Sequence, residues 1–316
     1  MGKIIQGKSP LRISFAGGGT DLNYIFETFG GAVVSSTIDK FCHMTIEERS
    51  DKEFWINGKP ITEHEILAYK VIEYFKPKKG FNLYYYNDIP VGSGLGSSSS
   101  FVVLMLRLLY ELHDKVPIDY DLVKEAWVIE NKIKECGFQD QYATAIGGFN
   151  FMEFSGEKTV VYPLRLKYSF IQQLNEYFVL VYVGGNKENR DLHKELRKYS
   201  EKNIKELNKT SFIKDLAYQM RDCLLNSNTD NIGKILKENW KLKRNKYTTN
   251  KKIDNIYDIG ICNGAEGGKL CGSGQAGHFL FFVKPKNRQK LIKALERYKI
   301  VDFNFSIHGT ETWRIK

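Results

Sequence analysis

No apolar run in this 316-residue chain approaches the ~18 residues that a membrane-spanning helix needs, so no membrane partner is expected. The opening segment, MGKIIQGKSPLR, has none of the long apolar stretch a secretory signal carries, and Gln6 stands where an N-myristoylation signal has Ser or Thr. Cysteine is scarce and scattered. Cys42, Cys136, Cys223, Cys262 and Cys271 are odd in number and form no CxxC pair, which points to reduced thiols in a cytoplasm and away from a disulfide framework or a structural zinc site. The net charge is +10, yet no basic stripe with interleaved aromatics and no nucleic-acid module accompanies it. Much of the charge lies on lysines such as Lys202, Lys205, Lys209 and Lys214, expected on solvated helix faces. No nucleic-acid partner is expected, whereas an anionic small molecule suits a basic protein.

With 42% hydrophobic and 27% charged residues, the chain reads as globular, and its length suggests two domains. Alternating apolar residues predict strands in PLRISFAGG, which breaks on Gly17–Gly19, in FNLYYYNDIP, in FNFMEF and VVYPLRL, in YFVLVYVGG, in HFLFFVKP, and near the C-terminus in FNFSIHG and TETWRI. The β-branched stretch Gly30 to Arg49 predicts two strands. Helices are expected at about Ser98 to His113, Asp121 to Glu135, Asp191 to Asn226, Asn231 to Asn245, and in RQKLIKALERY. There is no internal repeat and no steady βαβ period, so an α+β fold is favoured. A composition change at FSGEKTV places a domain boundary between residues 1–165 and 166–316.

The segment Asp88 to Tyr110, DIPVGSGLGSSSSFVVLMLRLLY, raises the first chemical question. Gly92, Gly94 and Gly96 sit where a strand turns into a long apolar helix. Glycine allows positive φ and puts no Cβ in the way, so successive N–H groups can converge on an anion at a helix N-terminus. Ser97, Ser98 and Ser99 add hydroxyls. No lysine precedes them as in a Walker A loop, and the spacing is not GxGxxG. A plain glycine turn capped by Ser97 or Ser98 is the alternative. A true GxGxxG occurs at Gly272 to Gly277, GSGQAG, but an apolar strand follows instead of a helix. That excludes a dinucleotide fingerprint and suggests a turn passing close to another backbone or a phosphate.

Three further places carry chemistry. Leu122, Ala126, Glu130 and Ile133 are spaced 4, 4 and 3, which puts Glu130 on an apolar helical stripe. A carboxylate there is costly unless paired or metal-bound; otherwise it lies at the stripe's wet edge. Asp140, in GFQDQYATAIGGF, precedes a short small-residue helix and is either an N-cap or a functional carboxylate. Arg12, in SPLRISFAGGGTDL, lies on an apolar strand, with Asp21 beyond the glycine bend; a structural ion pair is the plain reading.

Taken together these segments resemble the GHMP family of small-molecule kinases. PVGSGLGSSSS resembles the family's phosphate loop, SPLRISFAGGGTDL its first motif and GGKLCGSGQAGHFLFF its third, spanning residues 8 to 283. GGAVVSSTID, QDQYATAIGGFNFMEF and GAEGGKL are most similar to the branch acting on heptose 7-phosphates. The resemblance implies a two-domain α+β fold, with a ribosomal-protein-like N-terminal domain and a ferredoxin-like C-terminal domain. It also implies ATP-dependent phosphorylation of the anomeric hydroxyl of D-glycero-D-manno-heptose 7-phosphate, feeding nucleotide-activated heptose for surface polysaccharide. By motif match, Gly92, Ser93, Gly94, Leu95, Gly96, Ser97, Ser98 and Ser99 hold ATP; Ser98 and Glu130 hold Mg2+; and Asp140 takes the hydroxyl proton while Arg12 keeps it ionised. Lys8, Gly18, Gly19, Thr20, Asp21, Gly272, Ser273 and Gly274 then contact the sugar. Lys187, Arg190 and Lys194 are candidates for its phosphate. Two departures from the family pattern are Gln275, Ala276 and His278 in the third motif, and a missing Ser-rich, Arg-containing stretch after YFVLVYVGG. A kinase for another sugar (fucose-like, or unphosphorylated heptose) and a non-catalytic sugar sensor are the rival readings. A monomer or homodimer is expected.

Overall fold

A computed structural model describes residues 2–90, 92–156, 158–184, 194–195, 197–198 and 204–315. Its first half runs β1 (Ile4–Ala16), α1 (Asn23–Phe29), β2 (Gly31–Glu48), β3 (Phe54–Ile56), β4 (Lys59–Pro60), α2 (Ile66–Phe75), β5 (Phe81–Asn87), α3 (Ser97–Leu112), α4 (Asp119–Ile133), α5 (Gln139–Ile146), β6 (Phe149–Ser155) and β7 (Lys158–Pro163). After α6 (Tyr168–Tyr177) come β8 (Phe178–Gly184), the helices Ile204–Leu225, Ile232–Lys243 and Lys251–Cys262, β9 (Ala265–Leu270), β10 (Gly277–Val283), the helix Pro285–Ala294, β11 (Lys299–Val301), β12 (Phe305–Ser306) and β13 (Glu311–Arg314). No helix among the described residues is long and apolar enough to cross a membrane.

The stretch expected as two strands is one, β2, 18 residues long. Its two halves nevertheless serve different ladders: Gly31–Ser36 pair with β6 and Cys42–Glu48 with β5. Register shifts against β1, between Pro10 and Arg12 and between Ser14 and Ala16, let the continuous strand bend between them. The resulting nine-stranded sheet runs β13-β1-β2-β5-β3-β4, with β6 and β12 also on β2. A separate antiparallel sheet has the order β11-β8-β10-β9. Strands and helices are thus segregated into an α+β arrangement of two sheets. The boundary placed at 165/166 separates those sheets except at the chain's end, where β12 and β13 return to pair with β2 and β1. There β13 covers the N-terminal part of β1, an edge that would otherwise expose unpaired backbone groups.

Helix α3 explains the centre of the larger half. It is apolar around most of its circumference, interrupted by Arg107, Tyr110 and Glu111, and Phe101–Leu106, Leu108, Leu109 and Leu112 are all buried. A helix of that kind has to be surrounded; β1, β2, α2, α4 and α5 all pack on it. A second cluster joins the two sheets, with Leu11, Ile13 and Phe15 of β1 packing with Phe178, Leu180 and Phe282 of the smaller sheet. The Phe15 ring lies 5.4 Å from Phe178 and 5.7 Å from Phe305.

Strand β9 (AEGGKL) was not legible in the sequence, because glycines read as breakers. Here they allow close packing. A Cβ on Gly267 would sit 1.9 Å from Gly233 O, and one on Gly233 would sit 2.6 Å from Glu266 Cβ. The helix Ile232–Lys243 therefore lies directly on β9.

Candidate active site

The phosphate-loop segment has the backbone its composition demands. Gly92, Gly94 and Gly96 have φ of 81°, 76° and 77°, and Gly96 caps α3 in the left-handed conformation. The loop is backed by the third glycine motif. A Cβ on Gly94 would meet Cys271 O at 2.4 Å, one on Gly272 would meet Gly94 Cα at 2.7 Å, and one on Gly277 would meet Ser93 O at 2.7 Å. The GSGQAG turn is thus a close backbone-to-backbone support, as the strand after it suggested. His278 reinforces it: the buried imidazole donates from Nδ1 to Ser93 O at 2.8 Å, and burial keeps its pKa below the usual histidine value. Gln275 turns away, its Nε2 on Lys246 O at 3.1 Å, while Ala276 lines the cleft.

The cleft, a cavity of about 290 Å³, lies between the two sheets' domains. Gly92, Gly94, Gly96, Ser97, Ser98 and Ser99 line it, as do Gly272, Ser273 and Gly274. Ser93 and Leu95 do not: Ser93 offers its carbonyl to His278, and Leu95 is core, its carbonyl accepting the Arg12 N–H at 2.9 Å.

Arg12 and Asp140 form a two-pronged pair, Nε to Oδ1 at 2.8 Å and Nη2 to Oδ2 at 2.7 Å. Nη1 of Arg12 also donates to Gly94 O at 2.8 Å, tying the pair to the phosphate loop. Asp140 is not an N-cap; it lies inside the first turn of α5, whose cap position is Phe138. The N–H of Gln139, at the start of that helix, is taken instead by Asp21 Oδ2 at 3.1 Å. Asp21 is buried and also accepts the Gly19 N–H at 2.8 Å, so it braces the glycine bend against α5.

Glu130 is buried on the apolar stripe of α4 and is not at a wet edge. It accepts Ser98 Oγ at 2.8 Å and Gln141 Nε2 at 2.6 Å. Burial pushes its carboxyl up to about 7 against those bonds, and the charge of Asp140 adds to the rise. A buried carboxylate held against a serine hydroxyl, beside a loop shaped for phosphates, is a hard-oxygen donor set. It fits Mg2+, which is held by one or two carboxylates together with the substrate's phosphates.

Some expected residues are not brought here. Lys8 Nζ pairs with Glu311 at 3.4 Å and lies over the Phe41 ring, away from the cleft. The register shift between Pro10 and Arg12 is the cause. Before it Ser9 reaches Thr144 of α5, and after it Arg12 reaches Asp140 of the same helix, so Lys8 faces outward. The Thr20 hydroxyl is occupied by backbone, donating to Gly17 O and accepting Ala32 N–H. Lys194 is exposed and absent from the cleft lining, and Lys187 and Arg190 lie outside the described residues.

Two residues that sequence reading missed are in the cleft. Lys269, 2% exposed, donates to Ser14 O at 2.6 Å, and Lys243 donates to Gly18 O at 2.8 Å. Lys243 is partly exposed along its length, but its ammonium is enclosed; burial, and then the charge of Lys269, pull it down to about 8. Burial lowers Lys269 as well. The one available signal was a lone lysine inside the otherwise small and apolar AEGGKL.

An arginine–carboxylate pair with its arginine buried, a glycine loop opening a helix and a serine–glutamate pair thus lie together in one cleft. Residues 66–148 match the model of the GHMP kinases' N-terminal domain, and residues 220–300 match that of the GHMP kinases' C-terminal domain. The chain belongs to the GHMP kinase family, whose members are ATP-dependent phosphotransferases. Among its relatives is the D-glycero-alpha-D-manno-heptose 7-phosphate kinase of Campylobacter jejuni, 33% identical over 99% of this chain and 100% of that one. The crystal structure of a D-glycero-D-manno-heptose 1-phosphate kinase from Bacteroides thetaiotaomicron superposes with a TM-score of 0.81 at 28% identity, covering 99% of both chains. A Lactococcus lactis galactokinase complexed with galactose shares the fold alone, with a TM-score of 0.78 at 18% identity over 98% of this chain and 95% of that one.

Proposed function

We propose that this protein is a heptose kinase that transfers the γ-phosphoryl group of ATP to the anomeric hydroxyl of D-glycero-D-manno-heptose 7-phosphate. The observation that carries the chemistry is the Arg12–Asp140 pair tied through Gly94 to the phosphate loop. The sugar class rests on the full-length similarity to a heptose 7-phosphate kinase. The two heptose kinases above differ in the phosphate position their names give, so the position is what the experiment must decide.

Phosphoryl transfer asks a protein mainly for positioning and charge neutralisation. The N–H groups and hydroxyls from Gly92 to Ser99 hold the nucleotide's phosphates at the N-terminus of α3. Ser98 and Glu130 hold Mg2+, which offsets phosphate charge when bound. Asp140 accepts the proton of the sugar hydroxyl as its oxygen bonds to the γ-phosphorus and the bond to ADP breaks. Arg12 fixes the carboxylate's orientation by gripping both oxygens. The Ser98–Glu130 and Arg12–Asp140 pairs, together beside the glycine loop, favour the kinase over the rival sensor reading.

The test is ADP release with D-glycero-D-manno-heptose 7-phosphate, the 1-phosphate, unphosphorylated heptose, fucose and galactose as acceptors. The expected result is highest kcat/KM with the 7-phosphate and a 1,7-bisphosphate product by phosphorus NMR. Equal or better turnover of the 1-phosphate, of fucose or of unphosphorylated heptose would overturn the assignment.

A further inference from the structure

Lys243 and Lys269 have no part in the chemistry just described. Lys269 lies on β9 and Lys243 ends the helix Ile232–Lys243, and the glycines of β9 press these two elements together. The two ammonium groups reach the end of β1 and the bend that follows it, Lys269 at Ser14 O and Lys243 at Gly18 O. An ammonium has three donors, and among the described residues neither lysine is joined by a carboxylate in an ion pair. Two enclosed cations side by side are costly unless an anion completes them, and Asp21 and Asp140 act on them only from beyond ion-pair distance. A third group shares the spot: the Ser14 hydroxyl is buried, lines the cleft and has no hydrogen-bond partner among the described residues. Ser14 is two strand residues beyond Arg12, about 6.6 Å along the chain, so these donors lie off to one side of the Arg12–Asp140 pair. The bend they attach to carries Gly18, Gly19 and Asp21, next to α5.

We propose that Lys243, Lys269 and the Ser14 hydroxyl form the subsite for the acceptor's own phosphate. The inference rests on reading the acceptor as a phosphorylated sugar. It replaces Lys187, Arg190 and Lys194 with cations that the fold, rather than proximity in sequence, brings to the cleft. A phosphate dianion there receives charge-assisted bonds from both lysines and from a hydroxyl that otherwise has nothing to bind.

The experiment uses the full chain and three forms: wild type, Lys243→Met, which keeps the stem and removes the charge, and Lys243→Arg, which keeps the charge. ADP release is measured with heptose 7-phosphate and with unphosphorylated heptose, and KM for ATP is measured in each form. Loss of one such contact weakens binding by about 10- to 100-fold. The expected result is that Lys243→Met lowers the ratio of kcat/KM for the 7-phosphate over the unphosphorylated sugar by that factor. KM for ATP then moves by less than about 2-fold, and Lys243→Arg recovers part of the ratio. A Lys243→Met protein that keeps the wild-type ratio overturns the subsite while leaving the kinase assignment standing. A rise confined to KM for ATP also overturns it, because the anion is then a nucleotide phosphate. If wild type turns over neither heptose, the kinase assignment fails by itself. The subsite is then decided by inorganic phosphate: a rise in Tm with phosphate that Lys243→Met abolishes supports it, and one that persists refutes it. Methionine at a buried ammonium site is not expected to lower Tm without ligand, so a general folding defect is recognisable.

Discussion

Replacing Glu130 with Gln is expected to make the ligand-free protein more stable, and only at neutral and higher pH. Glu130 is 6% exposed, and its carboxyl is raised from the ordinary 4.5 to about 7, chiefly by burial. Below pH 4.5 the group is neutral in both folded and unfolded chains and has no pH-linked effect. As pH rises from 4.5 through 7 the unfolded chain ionises first, so the folded state loses stability across that window. Above it the folded protein carries a deficit of about 3 kcal/mol, at about 1.4 kcal/mol for each pH unit between the two values. Glutamine mimics the neutral acid and removes the deficit. It also turns one acceptor toward Ser98 and Gln141 into a donor, which costs about 1 kcal/mol. A net gain of about 2 kcal/mol is expected at pH 8, and a small loss at pH 4.5. Urea denaturation followed by circular dichroism at the two pH values measures both. Repeating it with Mg-ADP should reverse the order, because the ligand stabilises the wild type more. A variant less stable than wild type at pH 8 without ligand, or a gain of equal size at both pH values, would refute the argument that this carboxylate is held against its solvation preference for a cation.

Asp140→Asn keeps the shape of the pair with Arg12 but cannot take a proton. A fall in kcat of about 10²–10⁴-fold with Mg-ATP binding by calorimetry within about 3-fold is expected, and near-wild-type turnover removes Asp140 from the mechanism. Gly92→Ala and Gly94→Ala both place a side chain at positive φ, at a cost of about 1–2 kcal/mol. Only Gly94→Ala must also push the loop off Cys271, since nothing lies within 4 Å of a Cβ on Gly92; its Tm should fall further and its KM for ATP rise more, and equal effects would deny the loop-to-loop support. Because Lys243 is lowered to about 8 while an unfolded lysine titrates near 10.5, ligand-free stability should rise with pH between those values. Phosphate binding at pH 9 should accordingly take up a proton, seen as a dependence of calorimetric enthalpy on buffer; at pH 6.5 Lys243 is already charged, and the only proton exchanged is the one the phosphate monoanion gives up on binding as the dianion.

The backbone of the glycine–serine loop was legible in the sequence because it is set locally. Alternating glycines, a serine run and an apolar helix specify positive φ, free N–H groups and a rigid helix start wherever they occur. Glu130 was legible for a related reason: helical spacing puts it among apolar residues, and an ionisable group there stands out. Arg12 and Asp140 could be named from the motifs, but their two-pronged contact depends on the register shift after Pro10, which turns Arg12 toward α5 and Lys8 away from it. No local pattern reports which way a bulge turns a strand. The return of β12 and β13 to the larger sheet and the continuity of β2 are likewise settled by pairing partners far along the chain. Lys243 and Lys269 show the limit most clearly. They stand 26 positions apart; Lys243 looks like an ordinary surface lysine in its segment, and Lys269 stands out only as a lone lysine in AEGGKL, with nothing local to say what it faces. They meet because the glycines of β9 let a helix lie against the strand and because they reach across to the end of β1 and the bend after it. The sequence by itself determined the family's motifs and the backbone geometry of the glycine loop, since those are set by backbone freedom within a few residues. Only the tertiary structure decided which cations face the cleft, since the cost of enclosing a charge depends on what the whole fold packs around it.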